Sequence, residues 1–378
     1  MSAAEAPGLE SGVVVAKIGT SSITDHHGLI DEAAVDTFCE GVAKLRAEGR
    51  RVVAVSSGAI AAGLPALGLG GDKRPRDPVT LQAVAAIGQA RLMAVYEREL
   101  AEHGLIAGQV LLTPLDFMVR DQYLQARGTL DRLLELGVVP VVNENDATAD
   151  DEIRFGDNDR LAALVAHLVR ADTLVLLTDT AGLYTADPRF DETATLIEEI
   201  RAGDELLDAA VGGSGTDRGS GGMASKLAAA RIAAWSGVRA VIASAGRPDV
   251  LAHAVRGEPG VGTVVHPRSG RLSARKLWIA FAVRSAGVVT VDAGARDALV
   301  AGGRSLLPAG VVATSGSYDV GAAVEIAGPD GTVFAKALVS VSSATLAGIA
   351  GRHTSDLPAD VPHEVVHRDD LVVLPDQP

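Results

Sequence analysis

Cysteine is almost absent from this chain: Cys39 is the only one, which excludes an internal disulfide and any metal site built on cysteines. Aromatic residues make up 3% of the 378, too few for an aromatic-rich β-sandwich. Positive charge is also short, with 34 Lys and Arg against 48 Asp and Glu and a formal net charge of −14. That balance argues against a general grip on phosphodiester backbones or anionic membranes, although local clefts can still be basic. The opening "MSAAEAPGLESG" has neither a basic n-region nor an apolar h-region, and no later run reads as membrane-spanning. A soluble, cytoplasmic protein with no membrane partner is therefore expected.

What is present is alanine, valine, leucine and glycine. Hydrophobic residues reach 47%, and the length exceeds what one core usually supports, so two domains are expected. The apolar run "VVVAKIGTSS" reads as a buried strand entering a Gly/Ser loop, and a helix follows from about Asp31 to Glu48. Cys39 lies in that helix, in "VDTFCEGVAKL", and is expected to be buried packing. The alternation continues through "RRVVAVSSGAIAAG", "GQVLLT", "QARGTLDRLLELG", "VVPVVNEND", "DRLAALVAHLVRA", "DTLVLLTD", "MASKLAAARIAAWSG" and "RAVIASA". Strands alternating with helices predict an α/β fold with a mostly parallel central sheet covered on both faces. In such sheets ligands sit at the carboxyl ends of the strands. Lys17, Ser56, Ser57, Asn143, Asn145, Asp146, Thr178 and Asp179 each fall just after an apolar run, as turn residues or as the lining of one polar cleft.

From about Ser285 the character changes to short β segments and turns, which predicts a small β-rich barrel with a short helix at "ARDALVAGG". The expected division is a catalytic domain over residues 12–266, a linker over 267–284 and a β-rich domain over 285–370. Arg268, Arg271, Arg275 and Lys276 make the bridging stretch basic.

Two loops could cradle phosphate. In "KIGTSS", Lys17 ends a strand and a glycine loop follows at once; in "GSGGMASK", glycines open a helix that carries Lys226 in its first turns. Neither is a Walker A loop, because Ser225 precedes Lys226 and Leu227 follows it. "GSGGMA" also matches a dinucleotide fingerprint, but it follows a glycine-rich loop instead of a strand, and "RAVIASA" lacks the ribose-binding acid. Two lysines in separate glycine loops suit phosphoryl transfer, which needs positioned cations around a migrating group. The acid-rich "NENDA" and "GDND" supply the complement: they could hold an ammonium-bearing substrate, orient the lysines or help place Mg2+ through water, or they are a solvated loop with a helix cap. No G-x-S-x-G elbow surrounds Ser56 or Ser57, and the nine histidines show no metal-binding spacing.

In order, "VVVAKIGTSS", "VVAVSSGAIAAG", "QAVAAIGQARLM", "GQVLLT", "PVVNENDA", "FGDNDRLAALVA", "LLTDTAGLYTADPR" and "GSGGMASKLAAARIA" closely resemble the glutamate 5-kinases of the amino acid kinase superfamily. The similarity runs over residues 12 to 370, and the C-terminal part resembles a PUA module. The resemblance implies a three-layer αβα fold and transfer of the ATP γ-phosphoryl to the side-chain carboxylate of L-glutamate, the first step of proline synthesis. It implies that Lys17 and Lys226 flank the phosphoryl group, and that Asp157 and Asp159 orient those lysines and hold the substrate. Ser57, Asp146 and Asn158, with Asn143 nearby, match the glutamate-binding positions. Lys17, Thr178, Asp179, Ser220, Gly221, Gly222, Met223, Ala224, Ser225 and Lys226 match the ATP site. Mg2+ would bridge the β- and γ-phosphates without direct protein ligands.

The resemblance further implies feedback inhibition by proline, a homodimer or homotetramer, and transient contact with glutamate-5-semialdehyde dehydrogenase. Here Ser56 stands where the family usually has Thr. Three alternatives remain: a sibling kinase acting on N-acetylglutamate or another small acid, an RNA-binding protein, and a silent regulator. The acid-rich loops favour an unblocked amine. From Ser285 onward acids outnumber bases by roughly six, a poor footprint for RNA. Both lysines and the acid cluster are present, which weighs against a silent regulator.

Overall fold

A computed structural model describes residues 12–148, 158–201, 204, 222–268, 272–281, 283, 285–358 and 361–374. The chain divides into two compact units, Met1–Arg271 and Leu272–Pro378. The first opens with β1 (Val13–Ile18), α1 (Glu32–Ala47), β2 (Arg51–Ser56), α2 (Ala59–Gly63) and α3 (Pro78–Glu102). It continues with β3 (Ala107–Leu112), α4 (Leu115–Met118), α5 (Arg120–Glu135), β4 (Val139–Glu144), α6 (Asn158–Leu168) and β5 (Thr173–Thr178). After β6 (Glu199–Ile200) come α7 (Met223–Trp235), β7 (Arg239–Ser244), α8 (Val250–Arg256) and β8 (Gly262–Val265).

These strands form one eight-stranded sheet in the order β3-β4-β2-β1-β5-β7-β8-β6. Every pairing is parallel except β7 with β8. All six residues of β1, of β4 and of β5 are buried, as strands covered on both faces must be. Along β1, Val14, Ala16 and Ile18 enter a core shared with Val35, Phe38, Val42 and Leu45 of α1, and with Leu92, Tyr96 and Leu100 of α3. The apolar positions of α1 repeat at helical spacing, and Asp31 caps its start by accepting from the backbone N–H of Ala33 and Ala34. Lys17 belongs to the other alternation of β1, so strand geometry turns it toward the opposite face of the sheet.

Cys39 sits in the first core at zero exposure. Burial, with Glu99 and Asp36 adding to it, pushes its thiol up from 9.0 to about 12. The native protein should therefore react very slowly with thiol reagents at pH 8 and titrate one thiol per chain in denaturant. Because the folded-state value is the higher one, the associated stability is present below pH ~9 and lost as pH rises beyond it. Rapid stoichiometric labelling of the native protein would contradict this burial.

Helix α3 is absent from the reading of the sequence, which left "QAVAAIGQARLM" in no element. Ala83, Ala86 and Ala90 are exposed in it alongside Val79 and Ile87, so the outer face of its first half carries no polar stripe; exposed charge begins only at Arg91, with Glu97, Arg98 and Glu102 beyond it. Among the described residues α3 is the one helix long and apolar enough, by length and composition, to cross a membrane; the sequence reading expected none. Its other face packs on α1 and α2. The α2 contact depends on two glycines: a Cβ on Gly88 would lie 1.8 Å from the Ala59 carbonyl oxygen, and one on Gly63 2.1 Å from that of Val84. Gly88→Ala must push α2 away, at about 1–3 kcal/mol. The variant should lose stability in urea, and its KM for the glutamate that the resemblance implies should rise, because α2 starts directly after Ser57 and Gly58. Unchanged values for both would refute this close contact.

The second unit opens with α9 (Ala274–Phe281), followed by β9 (Gly287–Val291), α10 (Ala293–Val300), β10 (Val311–Gly316), β11 (Ala323–Ala327), β12 (Val333–Leu338), α11 (Ser343–Ile349) and β13 (Leu371–Val373). Its strands form a separate sheet in the order β10-β9-β11-β12-β13, with only the β9–β11 pairing parallel. Val289, Val291, Leu299, Ile326, Phe334 and Leu346 belong to its own core. The stretch expected to serve as a linker holds α9, whose Leu277, Trp278 and Ile279 are buried.

Candidate active site

Parallel pairing puts the carboxyl ends of β1, β2, β4 and β5 on one edge of the large sheet. Lys17 of β1 and Lys226 of α7 are 3% and 5% exposed, so each ammonium needs a counter-ion. One carboxylate serves both. Asp159, with a fully buried side chain in the first turn of α6, lies 2.5 Å from Lys17 Nζ through Oδ1 and 3.3 Å from Lys226 Nζ through Oδ2. Ser225 Oγ donates to the same Oδ2 at 3.1 Å. Two buried ammoniums gathered on a carboxylate suit a point that receives a highly charged anion.

Asn158, the residue before Asp159, enters a second cluster. Its Nδ2 lies 2.7 Å from the Ser56 carbonyl oxygen, 2.6 Å from Asn143 Oδ1 and 3.0 Å from Ser57 Oγ. Asn143 Oδ1 also accepts from the Glu144 backbone N–H at 2.9 Å, and Asn143 Nδ2 donates to Gln89 Oε1 at 2.8 Å. Ser56 and Tyr96 share a hydrogen bond between buried hydroxyls at 2.8 Å, and Ser56 Oγ reaches the Ser57 carbonyl at 3.0 Å. Burial pushes the Tyr96 phenol well above its usual range, with the Ser56 bond pulling the other way. Gly58 follows Ser57 at φ +101°, a conformation that favours glycine, and turns the chain from β2 into α2.

Consecutive residues of one helix point about 100° apart, so α6 carries the two clusters side by side: Asp159 faces the lysines and Asn158 the amides. Thr178 closes β5, next to β1 in the sheet, and its hydroxyl donates to Asp179 Oδ1 at 2.9 Å. Asp179 itself is exposed. Asp146 lies half-buried in the turn that leaves β4, three residues beyond Asn143. Gly222 caps the start of α7, with Met223 and Ala224 in the first turn ahead of Ser225 and Lys226. Asp157, Ser220 and Gly221 lie outside the described residues.

The structure thus brings together Lys17, Lys226, Asp159 and Ser225, and separately Ser57, Asn143 and Asn158. Sequence reasoning missed Gln89 and Tyr96, both on α3 and seven residues apart on one helix face. The available signal was a pair of polar side chains at helical spacing in an otherwise apolar run, legible only once that run is known to be a helix. The resemblance implied that Asp157 and Asp159 orient both lysines; Asp159 lies against both, and Asp157 is outside the described residues.

Such a site, at the strand ends of an α/β sheet with paired cations next to a polar amide pocket, is that of a phosphoryl-group transferase. Residues 12–244 match the Amino acid kinase family and residues 287–360 the PUA domain. The chain is 46% identical over 369 residues to the glutamate 5-kinase of Burkholderia multivorans, covering 97% of this chain and 98% of that protein. It is likewise 46% identical over 365 residues to the glutamate 5-kinase of a Geobacter species, covering 96% and 97%. Among solved structures, the UMP kinase of Bacillus anthracis aligns over 68% of this chain and 97% of its own, at 15% identity and a TM-score of 0.47. The chain belongs to the amino acid kinase family, within its glutamate 5-kinase branch, and carries a C-terminal PUA domain.

Proposed function

We infer that this protein transfers the γ-phosphoryl group of ATP to the γ-carboxylate of L-glutamate, giving L-glutamyl 5-phosphate for proline synthesis. The observation that carries the reading is the buried Lys17–Asp159–Lys226 group, joined through one peptide bond to the Asn158 amide cluster. A carboxylate oxygen of glutamate attacks the γ-phosphorus, an O–P bond forms, and the bond to the β-phosphate oxygen breaks to release ADP. Lys17 and Lys226 neutralise the equatorial oxygens of the migrating group, and Asp159 fixes where the two ammoniums stand. Ser57, Asn143, Asp146 and Asn158 hold glutamate in line, and Asp157 assists in holding the substrate and orienting the lysines. Lys17, Thr178, Asp179 and the stretch from Ser220 through Gly221, Gly222, Met223, Ala224, Ser225 and Lys226 hold ATP.

Two glycines adjoin the lysines. A Cβ on Gly19 would stand 3.3 Å from Lys17 Nζ, and one on Gly222 would meet nothing within 4 Å, so the absence of both side chains leaves the ammonium and the helix start open to phosphate oxygens. Mg2+ would come with the nucleotide, since no cluster of three or more His, Cys, Asp or Glu is placed to hold it among the described residues, and it would supply positive charge against the charge that develops on the phosphates.

The proposal extends to residues 12–266 as the catalytic domain and 285–370 as the PUA domain, to a cytoplasmic homodimer or homotetramer, to inhibition by proline, and to transient contact with glutamate-5-semialdehyde dehydrogenase. Its test is ADP release with Mg2+ and ATP, comparing L-glutamate, N-acetylglutamate and aspartate, with the acyl phosphate trapped as a hydroxamate. Glutamate should give hydroxamate and proline should suppress it. Activity confined to the acetylated acid would overturn the assignment.

A further inference from the structure

The polar contacts of α3 have a direction. Asn158 Nδ2 is surrounded by the Ser56 carbonyl, Asn143 Oδ1 and Ser57 Oγ, so its nitrogen must be the atom that faces them. Its Oδ1 takes no part in these bonds and is left as an acceptor. Asn143 is held the same way at both ends: Oδ1 accepts from Asn158 and from the Glu144 N–H, while Nδ2 donates to Gln89 Oε1. Asn143 is 1% exposed and Gln89 and Asn158 are each 8% exposed, so water is a poor substitute for any member. Turning Gln89 over would set its amide N–H groups against Asn143 Nδ2, two donors facing each other.

We propose that Gln89 is a positioning residue for substrate recognition: through Asn143 it fixes the orientation of the Asn158 amide, so that Asn158 offers Oδ1 to the α-ammonium group of the amino acid. The chain Gln89–Asn143–Asn158 thereby selects an unblocked amine, which donates, over an acylated one, whose bulk and single N–H fit an acceptor poorly. Gln89 itself touches no reacting atom. The inference rests on the reading that Asn158 belongs to the glutamate subsite.

Gln89→Met removes the acceptor while keeping the length of the side chain; Gln89→Glu keeps an acceptor in place. Glutarate, which is glutamate without its amine, is the probe for the ammonium contact, measured as a competitive inhibitor. Gln89→Met should raise the KM for glutamate about tenfold while kcat, the KM for ATP and the inhibition constant of glutarate stay within about threefold, and Gln89→Glu should leave the glutamate KM within about threefold of the parent. An unchanged glutamate KM, equal weakening of glutamate and glutarate, or a Gln89→Glu variant as impaired as Gln89→Met would each overturn the proposal. Gln89→Leu reports on the same contact if Gln89→Met does not fold. Asn158→Ala separates the two readings: if it leaves the glutamate KM unchanged, the subsite assignment itself fails, whereas a raised KM there with none in Gln89→Met rejects only the relay.

Discussion

Lys226→Met yields a folded protein whose kcat with ATP and glutamate is lower by about a thousandfold. Lys226 Nζ is one of two buried ammoniums set on Asp159. A preorganised donor aimed at developing charge typically contributes a factor of about 10²–10³, and a full cation on a phosphoryl group belongs at the upper end. Folding should survive, because methionine fills the space of the lysine stem and the Lys17–Asp159 pair becomes a simple one-to-one ion pair. The KM for glutamate should stay within about threefold, since the amide cluster around Asn158 does not include Lys226. Lys226→Arg should not restore activity: a planar guanidinium cannot take the place of a compact ammonium in a site this enclosed. Rapid-quench measurement of the chemical step is the check, and a kcat within tenfold of the parent would remove Lys226 from the reaction.

Asp159→Asn has the second large effect, and it appears first in stability. The substitution keeps the shape of the side chain and deletes the negative charge that Lys17 and Lys226 share, putting an amide where both ammoniums meet a carboxylate. Stripping the partner from a buried ion pair costs about 3–5 kcal/mol, which for a unit of this size lowers Tm by roughly 10 °C. Turnover should fall with it, because the lysines separate under mutual repulsion. ATP brings anionic oxygens to the same place, so it should raise the Tm of Asp159→Asn more than that of the parent protein. Differential scanning calorimetry with and without ATP reads both effects. A variant as stable as the parent, with the same ATP response, would mean that the two lysines do not depend on this carboxylate.

The parallel sheet was legible because strands buried on both faces write themselves as unbroken apolar runs, as in "VVVAKI" and "TLVLLT". Helix α1 was legible through the spacing of Val35, Phe38, Cys39, Val42 and Leu45. Helix α3 was not, since over its first half alanines, Val79 and Ile87 on the open side replace the polar stripe that marks an amphipathic helix. With α3 unseen, Gln89 and Tyr96 had no site to belong to. Antiparallel pairing of β7 with β8 was equally invisible, because strand direction is set by the path of the intervening chain and leaves no pattern in either strand.

By itself the sequence determined which side chains this protein can use: lysines after glycine-flanked strand and helix ends, acids and amides in two short runs, one inert thiol, and a charge balance hostile to nucleic acid. Local periodicity and side-chain chemistry are enough for that, because both are written over a few residues. Only the tertiary structure decided the distances and atoms through which Asp159 meets Lys17 and Lys226, and that an amide on α3 orients the neighbour of that aspartate. Contacts between residues so far apart in the chain are fixed by how sheet and helices pack, and packing is a property of the whole unit, with no signature in any single stretch.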